Sequence, residues 1–240
     1  MKEESFEVFA EFYDRFYLKK KDYKKEAETV EGIIRKYENK LSNTLLDVGC
    51  GTGEHLKYLC SDFHCTGMDI NSRMIEIAKK KVPDAEFKIA NMVEFSLKNR
   101  FDTIICLFSS IGYVQTCRNL VKTLENLHRH LNDIGLVILE PWVFMKDFKE
   151  GHISLDTYED EQTKLVRMAR SEILESKWLI FMHYLIGRNG EIKHSKETHE
   201  MLALDYQDYV EAFGKAGFKS LKYLEESLWD NCRGLFAAAK

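Results

Sequence analysis

The chain lacks three features that would assign it quickly to a class of protein. None of its six cysteines forms a Cys-x-x-Cys pair, so the usual pattern of a structural zinc or redox site is missing. No apolar run approaches the ~20 residues that a membrane-spanning helix needs, and Met1 to Ser5 do not read as the start of a signal peptide. We therefore expect a cytoplasmic protein with buried free thiols and no membrane partner.

An excess of basic charge is also lacking. The 35 lysines and arginines are outnumbered by 39 acidic residues, and the formal net charge is -4, so we expect no nucleic-acid partner. His128 and His130 lie two apart on a predicted helix and face different directions, so we expect no metal site. With 240 residues, of which 45% are hydrophobic, the chain is long enough for one full core, and we predict a single domain over 1–240.

The most informative segment that is present runs from Leu45 to Glu54, where an apolar run reaches Asp47 and continues into three alternating glycines. Glycine lets a backbone turn approach a ligand closely. The dinucleotide pattern Gly-x-Gly-x-x-Gly holds a pyrophosphate, but here the third glycine comes one position early and Glu54 takes its place. A carboxylate repels phosphate and tolerates the sulfonium and ammonium of S-adenosylmethionine, so the loop favours a methyl donor over NAD. The residues predicted to bind it here are Asp47, Gly49, Gly51 and Gly53.

Short β-rich runs alternate with helical patterns from Leu45 onward, which predicts an α/β fold with a parallel sheet and helices on both faces. Asn71 and Ser72 offer a helix N-cap. The predicted strands cover 44–48, 64–69, 85–90, 103–108, 136–140, 220–224 and 234–239, and the helices cover 54–60, 73–81, 119–131 and 206–216.

Two parts of the chain depart from this alternation. In 152–204, strand-like runs and the turn signal Asn189-Gly190 predict an inserted antiparallel layer. It is expected to cap the site or to form a homodimer surface, and a structural extension fits the pattern equally well. Residues 1–40 are predicted to form an N-terminal helical cap, whose basic run Lys19-Lys20-Lys21 we interpret as a solvated helix face.

Candidate cofactor residues follow the predicted strand ends, where open parallel sheets bind ligands. Asp69 ends the second strand, and its carboxylate can accept from both ribose hydroxyls; its alternative role is to cap the next helix. The other candidates are Ile70 and Met74 for the adenine face, Asn91 and Met92 for the adenine edge, and Leu107 for a backbone carbonyl near the methionine ammonium.

With these features, from Asp47 through the fifth strand, the chain resembles the class I S-adenosylmethionine-dependent methyltransferases. The resemblance implies a Rossmann-like fold with S-adenosyl-L-methionine as cofactor. Asn91 is a departure, because many members have an acid there that accepts from the adenine amino group. An amide oxygen can accept in the same way.

Four further segments are similar to the N,N-dimethyltransferases of nucleotide-linked (dTDP) deoxyamino sugars. They are Tyr13-Asp14 with Lys21-Asp22-Tyr23, Phe108-Ser109-Ser110-Ile111-Gly112-Tyr113, Glu140-Pro141-Trp142, and Arg233-Gly234-Leu235-Phe236. The resemblance implies that Tyr13 lines the transfer site, that Glu140 lies near the substrate amine and that Arg233 binds phosphates, for which a guanidinium fork is well suited. It places Tyr23 with the cofactor residues, and Tyr113 and Trp142 with the substrate residues.

Each of these roles has a simpler alternative: packing for Tyr13, a strand-end acid for Glu140 and a surface ion pair for Arg233. Members of the sugar group can carry histidine at the position of Tyr113, so the acceptor can differ in position or identity. The sequence therefore predicts methyl transfer to the amine of a small molecule more firmly than to any particular sugar.

The residues after the predicted fourth strand argue against two other activities. A nucleic-acid base methyltransferase would show Asn/Asp-Pro-Pro-Tyr where this chain has Phe108-Ser109-Ser110-Ile111, and a metal-dependent catechol enzyme would need a carboxylate there. A small-molecule O-methyltransferase, a glycine-type N-methyltransferase and a non-catalytic S-adenosylmethionine-binding protein stay open as alternatives.

Overall fold

Two β-sheets organise the computed structural model, which describes residues 10–37, 43–225, 228 and 234–240. The strands are β1 (Thr44–Val48), β2 (His64–Asp69), β3 (Glu86–Ile89), β4 (Phe101–Cys106), β5 (Leu131–Leu139), β6 (Ile153–Glu159), β7 (Thr163–Leu174), β8 (Lys177–Arg188), β9 (Glu191–Leu202), β10 (Ser220–Leu224) and β11 (Leu235–Ala239). The helices are α1 (Ala10–Tyr17), α2 (Tyr23–Tyr37), α3 (Leu56–Leu59), α4 (Ser72–Lys81), α5 (Cys117–His130) and α6 (Tyr206–Lys215).

The larger sheet has the order β10-β11-β5-β4-β1-β2-β3. β1 pairs in parallel with both β2 and β4, so the chain moves outward to β3 and then returns to the other side of β1. Ligands of open α/β sheets bind at such a reversal. Among the described strands of this sheet, only β11 runs antiparallel to its neighbours, which are β5 and β10. The predicted α/β class is confirmed, and the two C-terminal strands do complete the sheet.

Helices cover both faces of this sheet, as predicted. Buried side chains of α2, α3 and α4 pack on one face, and those of α5 and α6 pack on the other. α4 begins where the sequence indicates, because the Asn71 side chain accepts hydrogen bonds from the backbone N–H groups of Arg73 and Met74 at 3.0 and 3.1 Å.

Residues 153–202 form the predicted antiparallel layer, a four-stranded sheet in the order β6-β7-β8-β9. Its last hairpin turns at Asn189 and Gly190, both with positive φ (53° and 78°), as this turn type requires. One side of the sheet, here called the inner face, carries buried residues such as Leu165 and Tyr184. The opposite side, the outer face, includes the exposed Leu155.

Aromatic side chains of α1 pack against the inner face. Phe12, Phe16 and Tyr17 form one buried cluster with Leu165 and Tyr184, so the N-terminal helix bridges the inserted sheet and the main sheet. The interpretation of the lysine run as a solvated helix face is wrong at Lys21. Its side chain is 0% exposed, and its ammonium lies 3.1 Å from the Glu26 carboxylate.

Several element boundaries differ from the sequence prediction. The helix expected over 54–60 is reduced to α3, which begins two residues later and ends one residue earlier. β4 ends at Cys106 instead of residue 108, since Phe108 and Ser109 are left-handed. β5 begins at Leu131, directly after α5 and five residues before the expected start.

The cysteines in the described part of the chain are free thiols. Cys50, Cys65 and Cys106 are buried free thiols, as expected, whereas Cys60 is half-buried and Cys117 is exposed; Cys232 lies outside the described residues. None of the helices in these ranges combines the length and apolar composition that crossing a bilayer requires.

Candidate active site

A cavity of about 400 Å³, here called the main cavity, lies between the carboxyl ends of β1, β2 and β4 and the inner face of the inserted sheet. A second, small cavity of about 40 Å³ adjoins it beneath the N-terminal helices. Tyr13, Gly49 and Gly51 line both. The other predicted residues at the main cavity are Asp69, Ile70, Met74, Met92, Tyr113 and Trp142, and those at the small cavity are Tyr23, Asp47 and Leu107.

Two carboxylates at adjacent strand ends dominate the electrostatics. Asp47 is 2% exposed, and no group in the described part of the chain hydrogen-bonds to its Oδ2. Burial, with the charge of Asp69 nearby, raises the pKa of Asp47 to about 8. Burial also raises the pKa of Asp69, although its carboxylate accepts from the Gly51 and Asn71 backbone N–H groups at 3.0 and 2.9 Å. A cation at the small cavity would stabilise the ionised form of Asp47 and lower this raised pKa.

The glycine loop approaches the cavities closely at two of its three glycines. Gly49 has a φ of +78°, and a Cβ added there would lie 2.7 Å from the Cβ of Ser110. Gly51 has a φ of +53° and open space in front of it. Gly53 was predicted to bind the cofactor, but it does not line the main or the small cavity as described. An added Cβ would instead lie 3.3 Å from Ala78 of α4, so this glycine permits close packing of loop and helix.

After β4 the backbone makes a strained turn that two side chains stabilise. Phe108 and Ser109 have φ values of 50° and 61°, which non-glycine residues rarely adopt. The Phe108 N–H donates to Glu140 Oε2 at 2.6 Å, and the Ser109 hydroxyl donates to the Pro141 carbonyl at 2.9 Å. The Leu107 carbonyl, expected near a ligand ammonium, accepts from the Ser110 N–H at 3.2 Å.

Glu140 supports this turn with its side chain. Its side chain is 2% exposed and supports the turn at Phe108 from below, and it is not among the residues that line the described main and small cavities. Sequence reasoning identified the residue but not the direction of its carboxylate, which depends on how far β4 and β5 extend.

The predicted adenine-edge residues lie at a third cavity of about 90 Å³, lined by Asn91, Met92 and Tyr113. The Asn91 side-chain oxygen accepts from the Val93 N–H at 3.0 Å. Its amide oxygen is thus engaged in a local turn. Met92, which also lines the main cavity, connects the two spaces.

The predicted substrate residues are only partly brought together. Tyr113 and Trp142 line the main cavity, and the Trp142 ring packs edge-on against Trp178 of β8 with centroids 5.6 Å apart. Arg233 lies outside the described residues.

Sequence reasoning missed an ion-pair cluster that fastens the N-terminal helix to the glycine loop. Lys81 at the end of α4 lies 2.6 Å from Asp14 and 2.5 Å from Glu54. The Thr52 hydroxyl donates to Asp14 at 2.5 Å. Glu54 thus has a lysine partner, and the cluster closes the loop beneath α1. The Tyr13-Asp14 motif indicated that this helix belongs to the site. Its lysine partner could not be predicted, because Lys81 is 67 residues from Asp14 in the chain.

A second missed set lies on the inner face of the inserted sheet. Arg167, which lines the main cavity, donates to Asp156 at 2.7 Å and to the Tyr17 hydroxyl at 3.0 Å. Ser154 and Ser171 line the same cavity. Strand alternation places these polar residues on one face, but the sequence did not indicate that this face covers the site.

The residues present fit S-adenosylmethionine. The unpartnered buried oxygen of Asp47 suits its ammonium, the glycine loop leaves room for a flat nucleoside, and Asp69 presents a carboxylate at the end of β2. In the described part of the chain, no three His, Cys, Asp or Glu side chains come together in an arrangement that would hold a metal ion.

Substitution of Gly49 tests whether the loop forms the donor site. Gly49→Ala introduces left-handed strain of about 1–2 kcal/mol and a contact with Ser110, so we expect S-adenosylmethionine affinity to fall about tenfold or more, measured by calorimetry. Gly190→Ala is the matched control, since Gly190 has the same φ of +78° and nothing within 4 Å of an added Cβ. Equal affinity in both variants would contradict the assignment.

Comparison with known proteins agrees with this geometry. The family described as "Methyltransferase domain" matches residues 45–135. The chain is 34% identical over 230 residues to the dTDP-3-amino-3,6-dideoxy-alpha-D-glucopyranose N,N-dimethyltransferase of Streptomyces fradiae, covering 95% of this chain and 89% of that enzyme.

Two solved structures extend the likeness to the whole fold. DesVI of Streptomyces venezuelae superposes with a TM-score of 0.88 at 30% identity, covering 96% of this chain and 97% of the other. S-adenosylmethionine-bound CalS10 of Micromonospora echinaspora, an amino pentose methyltransferase, has a TM-score of 0.85 at 28% identity, covering 98% and 97%. The chain therefore belongs to the class I S-adenosylmethionine-dependent methyltransferases, in the family that contains the dTDP-amino-sugar N,N-dimethyltransferases.

Proposed function

We propose that this methyltransferase acts on the amine of a nucleotide-linked amino sugar. The observation that carries the proposal is the continuity of the main cavity, which joins the glycine loop and Asp69 to Ser154, Arg167 and Ser171 on the inner face of the inserted sheet. The donor and a polar acceptor can thus meet within one cavity. The dTDP-amino-sugar enzymes named above supply the substrate class.

The donor-binding roles are divided by position. Asp47 is proposed to bind the donor ammonium at the small cavity, where Tyr23 also lies. Asp69 is proposed to bind the ribose, with Ile70 and Met74 against the adenine. When bound, S-adenosylmethionine supplies an electrophilic methyl group on a sulfonium. The protein contributes the orientation of the donor and the acceptor.

Tyr13 is proposed to line the transfer site. It borders both the main and the small cavity. Burial raises the pKa of its hydroxyl well above the usual range, and the neighbouring Tyr23 adds to the shift. The phenol therefore stays protonated and presents a neutral hydroxyl and an aromatic ring, both of which can interact with a nearby cation.

Glu140 is proposed to act as a positioning residue. Its hydrogen bond to the Phe108 N–H stabilises a left-handed turn, and Phe108 lines both cavities. Proximity and alignment supply much of the barrier reduction in well-oriented reactions, on the order of 7–11 kcal/mol. A carboxylate that fixes the wall of the transfer site contributes through this alignment.

Methyl transfer to a panel of acceptors tests the function. We expect mass increments of one or two methyl groups on nucleotide-linked amino sugars, detected by mass spectrometry, and none on free amino sugars or glycine. Methylation of a hydroxyl, or of glycine alone, would contradict the proposal.

In the same assay, the Arg233→Ala variant tests whether Arg233 binds the phosphates of the nucleotide-linked acceptor. Loss of a charge-assisted hydrogen bond costs about 1.5–3 kcal/mol, so the KM of the nucleotide-linked acceptor should rise about tenfold or more while donor affinity is unchanged. Arg100→Ala is the control, because Arg100 is 56% exposed and pairs only loosely with Asp133 at 3.7 Å. An unchanged KM would remove Arg233 from the substrate site.

We further propose that the inserted sheet joins two copies of the chain. Its outer face exposes a group of apolar side chains, and exposed apolar patches of this kind mark interfaces. The exposed fractions are 58% for Ile153, 62% for Leu155, 47% for Met168 and 48% for Leu185. Leu155 and Met168 are cross-strand neighbours, so the patch is contiguous.

The oligomeric state tests this surface. The unaltered protein should run as a dimer in size-exclusion chromatography with light scattering, and the double variant Leu155→Lys/Met168→Lys should run as a monomer. Ile134→Lys serves as the control, since Ile134 is 71% exposed on β5, outside the inserted sheet. A monomeric unaltered protein at micromolar concentration would contradict the proposal.

A further inference from the structure

A hydrogen-bonded chain of three side chains leads from the main cavity into the inserted sheet. The Tyr113 hydroxyl lies 2.8 Å from His199 Nδ1, and His199 Nε2 lies 3.3 Å from Glu197 Oε2. Tyr113 lines the main cavity, whereas His199 is 1% exposed and the Glu197 side chain is 8% exposed. The chain therefore connects the cavity to a buried carboxylate.

The direction of each hydrogen bond follows from the chemistry of the groups. An ionised carboxylate only accepts, so His199 Nε2 carries the proton and donates to Glu197. The other nitrogen of a neutral imidazole is then an acceptor, and Tyr113 donates its hydroxyl proton to Nδ1. Burial raises the pKa of Tyr113 above its usual range, which keeps this phenol protonated.

We propose that Tyr113, His199 and Glu197 form a relay that removes the proton from the substrate ammonium before methyl transfer. This inference rests on the proposed function, because it needs an amine acceptor. An alkyl amine is largely protonated at neutral pH, and its nitrogen attacks only when its lone pair is available.

The relay moves one proton from the substrate ammonium to His199. The ammonium N–H bond breaks and leaves its electron pair on nitrogen, while its proton passes to the Tyr113 oxygen. The original hydroxyl proton of Tyr113 passes to His199 Nδ1, which gives an imidazolium whose Nε2–H stays bonded to Glu197. A carboxylate in this place orients the ring and stabilises the imidazolium. The same path serves the proton released by a singly methylated product before a second transfer.

Several other ionisable groups face this chain and belong to the same electrostatic environment. The Tyr184 hydroxyl of β8 donates to Glu197 Oε2 at 3.4 Å, while Glu197 Oε1 is buried and no group among the described residues hydrogen-bonds to it. The remaining neighbours are Tyr13 and Tyr17 of α1, Asp69 of β2 and Arg167 of β7. None of these lies on the path from the cavity to His199.

His199→Gln is the decisive variant. Glutamine can still accept from Tyr113 and donate to Glu197, but it cannot take up a proton. We expect kcat to fall about tenfold or more at pH 7 and to recover to within about threefold at pH 9.5, where the free amine is abundant. S-adenosylmethionine affinity should be unchanged. Tyr113→Phe should give the same profile, and the double variant should lose no more than either single variant, because both break one path.

His194→Gln is the matched control, since His194 lies on the same strand but on the outer face, and its profile should follow that of the unaltered enzyme. An equal loss at every pH, or no loss at pH 7, would overturn the relay. Absence of methylation by the unaltered enzyme on any amine would instead contradict the proposed function.

A measurement without turnover checks the arrangement independently. In ¹⁵N spectra of histidine-labelled protein, His199 should show the Nε2–H tautomer, and Tyr113→Phe should shift the Nδ1 resonance. A Nδ1–H tautomer at neutral pH would overturn the relay whatever the kinetics show.

Discussion

The structure depends on two carboxylates held close together at the ends of β1 and β2. Asp47 is buried with an oxygen that no described group satisfies, and Asp69 lies near enough to raise its pKa further. Ionisation of such a buried carboxyl costs several kcal/mol unless a partner compensates the charge. The cationic methionine end of the donor is the compensating partner in this account. The glycine loop, the N-terminal helix and the strained turn at Phe108 all lie around that position.

The inserted sheet covers this site and also contributes side chains to the main cavity. Its inner face supplies Arg167 and the histidine behind Tyr113, so the proposed acceptor side includes residues that the core α/β fold does not contain. The N-terminal helix joins the two parts through its aromatic cluster and the Asp14–Lys81 ion pair. A single cavity bounded by both sheets supports the proposal that the core fold holds the donor while the insertion contacts the acceptor.

Local patterns in the sequence predicted the sheet, the N-cap at Asn71 and the strand-end aspartates, since each depends on residues close together in the chain. Contacts between distant segments were not predictable. The sequence pattern predicts Lys21 on the surface, but its side chain is buried against Glu26 and Phe108. Tyr113 and His199 are 86 positions apart. The direction of the Glu140 side chain depends on a turn whose left-handed residues are not glycines.

Calorimetric affinities for S-adenosylmethionine and for 5′-methylthioadenosine test the central claim most directly. Asp47→Asn should weaken S-adenosylmethionine but leave 5′-methylthioadenosine, which lacks the amino-acid ammonium, with its original affinity. Asp69→Asn should weaken both ligands, because both contain the ribose. If Asp47→Asn weakened both ligands equally, or neither, the buried carboxylate would not be the ammonium site and the account would be contradicted.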